Sequence, residues 1–249
     1  MPFLKRVQLD WSQLNSAEKK QYPFNIPTIR SMKQLVFRNN VTFFIGENGS
    51  GKSTLLEAIG QSCGFSTVGG RDLMITKEKD DVSLAEIMKL AWLPKVKSGF
   101  YFRAETFDTF ANYIDELAKD PFVGGSAYNA YGGKSLNERS HGQAFLTFFH
   151  NRFDKKGIYL LDEPESALSP QNQLVLLKLI KELERSGQAQ FIIATHSPIL
   201  MAYPNAVLYH FTDSGVETID YEQTDHYLLT KDFLNNRERY FRMLFEDGE

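Results

Sequence analysis

Hydrophobic residues along this chain fall into two recurring patterns. Residues 41–45 and 158–161 are short apolar runs of strand formers, with the length and composition of strands buried on both faces, and 190–194 read as another strand. Residues 100–102 read as a further strand, and 3–9 alternate weakly, as an edge strand does. Between the runs lie segments of helical period. The stretch 52–61 carries Leu55, Leu56 and Ile59 on one face, and 106–118 and 140–151 read as helices. Ser169-Pro170 supplies an N-cap and a first-turn proline for a helix to Leu183, and Ser197-Pro198 opens another. Ser83-Leu84-Ala85-Glu86 has the form of a capping box, predicting a helix that stops before Pro94. Residues 124–135 hold four glycines without apolar period and read as loop. A short β section over 206–220 precedes a charged helix from about Thr230. Its Phe233, Tyr240, Phe241, Leu244 and Phe245 read as core contacts.

Strands alternating with helices predict one α/β domain over 1–249 with a mainly parallel sheet. A core lobe is expected from 1–61 and 156–249, and a more helical subdomain from 62–155. Composition narrows the setting. The net charge of −3 gives no global case for nucleic acid. A single cysteine, Cys63, excludes a disulfide within the chain and fits the cytoplasm. The N-terminal residues lack a signal-peptide core, and no apolar run approaches the roughly 20 residues that cross a bilayer.

The chemistry sits at the ends of the buried strands. Gly46-Glu47-Asn48-Gly49-Ser50-Gly51-Lys52-Ser53-Thr54 matches the phosphate-loop pattern between a strand and a helix. Its glycines let backbone N–H groups turn toward ATP phosphates at a helix N-terminus. Lys52 would reach the β- and γ-phosphates, and Ser53 would bind Mg²⁺. In Ile158-Tyr159-Leu160-Leu161-Asp162-Glu163-Pro164, four apolar residues lead into two acids. Asp162 is placed to hold Mg²⁺ and Glu163 to act as general base toward water. His196, just after a strand, sits where a phosphate-sensing histidine would sit. Ser140-His141-Gly142-Gln143 taken alone is an ordinary helix N-cap; its order and spacing ahead of Asp162 favour a cap on a γ-phosphate.

With these motifs the chain resembles ATP-binding cassette ATPases, in particular the RecF-like and SMC-like heads and small stand-alone bacterial ATPases of the AAA family. The resemblance rests on residues 42–54, 131–145, 160–170 and 192–200. It implies a P-loop α/β fold with flanking helices and a head-to-tail homodimer. Ser140, Gly142 and Gln143 of one subunit would close on ATP held by residues 46–54 of the other. It also implies that residues 166–169 cross the dimer axis and that His196 is the switch histidine. The chain departs from the pattern in three places. Arg139 and His141 alter the signature, Ser169 stands for an aspartate, and no glutamine follows the strand at 100–102. Glu105 fits the sensor place left by that glutamine, or a solvated acid at a helix start.

For the adenine, Tyr22, Phe24 and Phe37 are candidates, though aromatics here read first as core. Lys95, Lys97, Lys155, Lys156, Arg237, Arg239 and Arg242 are the cations available to nucleic acid; scattered among acids, they read first as solvated faces. The leading expectation is an ATP-gated dimer in DNA maintenance or defence against foreign DNA, which comes from the resemblance. The stretch between Lys52 and Ser140 is too short for an SMC coiled-coil arm. The alternatives are a transporter's nucleotide-binding subunit, with another chain supplying the membrane part, and a regulator of a separate effector. Small-molecule kinase activity fits least, since it needs neither His196 nor the Ser140 motif.

Overall fold

A computed structural model describes residues 1–65, 67–68, 82–153 and 156–245, with backbone only at 67–68. In chain order, β1 (Leu4–Leu9) leads through two short turns to α1 (Pro27–Ser31), β2 (Gln34–Val36) and β3 (Val41–Gly46). The helix α2 (Lys52–Cys63) follows, then β4 (Thr67–Val68), β5 (Met88–Trp92), β6 (Gly99–Arg103), α3 (Phe107–Ala118) and α4 (His141–Arg152). The chain continues through β7 (Gly157–Asp162), α5 (Pro170–Arg185), β8 (Ala189–Ala194) and α6 (Pro198–Met201). It ends with β9 (Val207–Thr212), β10 (Gly215–Ile219) and α7 (Asp225–Phe245).

The expected buried strands lie side by side. Among the described residues they form a seven-stranded sheet in the order β10-β9-β3-β8-β7-β6-β4. All its pairings are parallel except β10 with β9. Every residue of β3, β7 and β8 is buried, because helices or a second sheet cover both faces. On one face Phe100, Phe102 and Tyr159 meet Phe107, Phe145, Phe148, Phe149 and Phe153 of the helical side, with ring centroids of 4.9 to 5.7 Å around Phe102. On the other face Phe44, Leu160 and Ile192 pack on Leu55, Leu56 and Ile59 of α2 and on the three-stranded antiparallel sheet β2-β1-β5. Parallel pairing puts the C-terminal ends of β3, β8, β7 and β6 at one edge, where ligands bind in open α/β sheets.

Several expectations are corrected. The stretch 3–9 is not an edge strand, since β1 is the middle strand between β2 and β5. The capping box opens no helix. Ser83 and Glu86 join through their backbones in a turn, and residues 88–92 pair with β1 as β5. The open hydrogen-bonding edge of β1 decides there against local helical signals. Within the stretch 62–155, β4 and β5 join the sheets beside the expected strand at 100–102, which is β6. Residues 124–131, read as loop, form a 3-10 turn. The last helix starts at Asp225 rather than near Thr230, and none of its residues is buried. Its aromatics contact one another along the helix, Phe233 edge-on to Tyr240 and Phe241, and Phe241 stacked on Phe245, so they are not core contacts. Lys155 lies outside the described residues.

Candidate functional site

The loop after β3 takes its path from glycines at two decisive points. Gly46 has φ +135°, and a side chain there would put Cβ 2.4 Å from the Phe211 carbonyl oxygen. Gly51, at φ +96°, is the left-handed residue that starts α2. Between them Glu47, Asn48 and Gly49 are exposed, and Ser50 is anchored by the Thr28 hydroxyl bonding to its carbonyl. Lys52 is 4% exposed and donates from Nζ to the carbonyls of Gly46 and Glu47, each at 2.8 Å. Burial pushes the Lys52 amine down, against the pull of Glu163, Asp162 and Glu165. Ser53 Oγ donates to Asp162 Oδ1 at 2.8 Å, so the first turn of α2 is tied directly to the end of β7. Thr54 Oγ1 lies 3.1 Å from the Tyr22 hydroxyl.

Asp162 is nearly fully buried. Burial pushes its carboxyl up, against hydrogen bonds from Ser53 and Tyr101 and the nearby Arg103 guanidinium. Tyr101 donates to Asp162 Oδ2 at 3.0 Å, and Arg103 Nε stands 3.6 Å from the same oxygen. Glu163 holds a left-handed backbone at φ 48°, ψ 51°, uncommon for a side-chain-bearing residue, and its N–H donates to Ala194 at 2.9 Å. The carboxylate is thereby turned out of the sheet edge, half exposed, with Oε1 3.7 Å from His196 Nε2. Glu165 Oε1 accepts from the His196 backbone N–H at 2.6 Å, fixing the turn after β8 to the turn after β7. Burial, then the Lys52 charge, pushes the His196 imidazole down.

Gly46 to Thr54, Asp162, Glu163 and His196 thus come together at one sheet edge. Ser140, Gly142 and Gln143 lie at the start of α4, where Gly142 faces Asn172 and the Ala167 carbonyl. Ser140 is the N-cap residue, but its hydroxyl does not cap the helix, and both it and Gln143 are exposed. His141, in the altered signature, packs on Phe107 and Phe145, with Nδ1 3.3 Å from Asp108 Oδ1. Ser166 and Ser169 stay local, the first bonding to the Glu163 carbonyl and the second capping α5. Glu105 is exposed and paired with Arg103 Nε at 2.6 Å. Arg103 therefore stands between Glu105 and Asp162. Phe24 and Phe37 are core residues, each 2% exposed, whereas Tyr22 is 70% exposed beside the loop.

Sequence reasoning missed Tyr101, Arg103, Glu165 and His226. The first two follow from the parallel register that sets Arg103 opposite Asp162. His226, on α7, brings Nε2 to 3.2 Å from His196 Nδ1 and had no local signal. For a hard cation the donors are Ser53 Oγ and Asp162 Oδ1. Among the described residues no group of three or more His, Cys, Asp or Glu is arranged to hold a metal. Two protein oxygens still suit magnesium, which keeps waters and shares itself with phosphates.

A family described as AAA ATPase domain matches residues 94–201, and one described as AAA domain matches 25–109. The lipoprotein-releasing system ATP-binding protein LolD of Buchnera aphidicola is 23% identical over 211 residues, covering 74% of this chain and 89% of that protein. The hemin import ATP-binding protein HmuV of Vibrio anguillarum is 28% identical over 188 residues, 67% of this chain and 69% of that one. Among solved structures, cbiO1 from Clostridium perfringens, part of the ABC transporter complex cbiONQ, aligns with a TM-score of 0.53. It is 16% identical and covers 98% of this chain and 100% of its own. The ADP conformation of another ATP-binding cassette of an ABC transporter aligns at 0.50, with 16% identity and 96% of each chain covered.

Proposed function

Since this chain is an ATP hydrolase of the ATP-binding cassette type, we propose that two copies close head to tail, each supplying Ser140, Gly142 and Gln143 to the nucleotide held by the other. One observation carries this reading. Every group for phosphate binding and water activation lies at one sheet edge, while the start of α4 is exposed with its serine hydroxyl uncommitted to capping. Helix N–H groups that need a partner, beside an exposed hydroxyl, suit an incoming phosphate.

On this reading the N–H groups of residues 47–52 wrap the phosphates. Lys52 exchanges its bonds to its own loop for bonds to the β- and γ-phosphates, which a charged donor strengthens. Ser53 Oγ and Asp162 would hold magnesium, which would supply charge neutralisation to the phosphates. Glu163, aimed outward by its left-handed backbone, takes the proton of the attacking water. His196 Nε2 donates to the γ-phosphate. Tyr22 is placed to stack on the adenine, being exposed and bonded to Thr54.

The test is Glu163→Gln. The amide keeps its size but takes no proton, so turnover falls about 10²- to 10⁴-fold while ATP stays bound. Light scattering coupled to size exclusion should then find a dimer with Mg-ATP and a monomer with ADP. A monomer with ATP demonstrably bound rules out the sandwich.

For the work the cycle performs, the reading we carry is a cytoplasmic ATPase serving DNA maintenance or defence against foreign DNA. Lys95, Lys97, Arg237 and Arg242 would become one surface only in a closed dimer. DNA association is then ATP-dependent and weakens as salt rises. A second reading, the ATP-binding subunit of a transporter, is favoured by the similarity to LolD of a lipoprotein-releasing system and to the hemin import protein HmuV. Among the described residues no helix is long and apolar enough to cross a membrane, so this reading needs another chain for the membrane. Detergent co-purification with a membrane protein, and DNA binding indifferent to ATP, would select it.

A further inference from the structure

The C-terminal helix reaches the catalytic edge at His226. Thr224, 1% exposed, caps the start of α7 by accepting from the Tyr227 N–H at 3.3 Å. Two residues on from Thr224, His226 enters a cavity of about 200 Å³ beside Ile45 and Gly46, shared with His210 and Leu229. Its Nε2 lies 3.2 Å from His196 Nδ1, with the two rings 5.3 Å apart.

A hydrogen bond between two imidazoles needs one N–H and one lone pair. Burial, and then the Lys52 charge, pushes both rings toward the neutral form, so each carries one N–H. Two arrangements remain. If His196 donates from Nδ1, its Nε2 presents a lone pair to the Glu163 carboxylate 3.7 Å away, which is repulsive. If His226 donates from Nε2, His196 carries its proton on Nε2, facing Glu163 Oε1. That nitrogen is enclosed and has no hydrogen-bond partner, a donor held for an acceptor still to arrive.

We infer that His226 is a positioning residue: it donates from Nε2 to His196 Nδ1, holds His196 as the Nε2–H tautomer, and so makes α7 part of the hydrolytic site. The inference rests on the proposed γ-phosphate role of His196. The wrong tautomer would offer the phosphate a lone pair instead of a proton, and the loss would fall on the chemical step. Glutamine at 226 offers an amide N–H at similar reach, whereas leucine offers none.

The experiment uses the full chain with ¹⁵N-labelled histidine, the resonances assigned by single substitutions among its five histidines. Long-range nitrogen–proton correlation should find His196 with a lone pair on Nδ1 and a proton on Nε2. His226→Leu should leave ATP affinity and KM near wild type while kcat falls about tenfold or more, and His226→Gln should restore most of the turnover. A proton on His196 Nδ1 in the wild-type protein overturns the inference. So does wild-type kcat in His226→Leu when His196→Ala is slowed. Unchanged turnover in His196→Ala removes the γ-phosphate role itself, and this inference with it.

Discussion

Lys52 shows how a single residue is held ready for a ligand. A buried ammonium costs free energy unless its protons are bonded, and two loop carbonyls at 2.8 Å meet that need. Lys52→Ala should therefore leave the fold intact and weaken ATP binding about ten- to hundredfold, as read by calorimetry. Wild-type affinity in a folded variant would remove the lysine from the phosphate site. The paired histidines carry a pH signature. Both fall below the ordinary value of 6.5 in the folded chain, so the unfolded chain takes up protons that the folded one does not. The resulting stability is full above pH 6.5 and is lost as pH falls through the depressed folded values. The thermal midpoint should drop more between pH 7.5 and 5.5 in wild type than in the His196→Gln/His226→Gln double variant. Contributions from Asp162 and Glu165 are common to both proteins and cancel. Equal drops would show that these two rings do not resist protonation.

Among elements, the contact between the two sheets depends on a polar residue. Gln190 sits fully buried in β8 and reaches across to β1. Its Oε1 accepts from the N–H groups of Phe3 and Leu4 at 2.8 Å, and its Nε2 donates to the Leu4 carbonyl at 3.0 Å. Nothing in the run Gln190-Phe191-Ile192-Ile193-Ala194 marks this role, since a glutamine opening a strand reads as solvent-facing. Gln190→Leu would leave those backbone groups unpaired in an apolar contact and should cost about 3 kcal/mol of stability. Denaturant unfolding checks this, and a change below about 0.5 kcal/mol would mean that β1 finds other partners. The reverse case is α7, which has helical sequence but no buried position. It stays in place through its cap at Thr224, the ring of Tyr227 on Tyr221, and His226.

At the scale of the whole molecule the proposed site belongs to two chains, and this can be tested without seeing the dimer. In a two-fold assembly each protomer would give its phosphate loop to one site and its Ser140 to the other. Ser140→Arg should abolish turnover by blocking closure, and Lys52→Ala should abolish it by removing the charge that serves the γ-phosphate in the transition state. An equal mixture assembles some dimers with one intact site. Turnover should then recover to about one quarter of wild type if sites act independently, measured as phosphate release. No recovery at any mixing ratio would place both residues in one chain's site, or couple the two sites so tightly that neither works alone.

The sequence alone determined the parts whose chemistry is local. A glycine loop between strand and helix, two acids closing an apolar run, and a histidine after the next run are set by residue type and spacing. The structure brings Ser53, Asp162, Glu163 and His196 to one edge as that spacing implies. The buried strands were equally legible, because a strand covered on both faces must be apolar throughout. Pairing and register were left to the tertiary structure. Residues 88–92 became a strand because β1 had an edge to fill. Tyr101 and Arg103 reached Asp162 because β6 lies beside β7 in that register. His226 met His196 because α7 packs back on the sheet edge. Each of these contacts joins residues far apart along the chain, so its free energy depends on a neighbour that no local pattern of residues specifies.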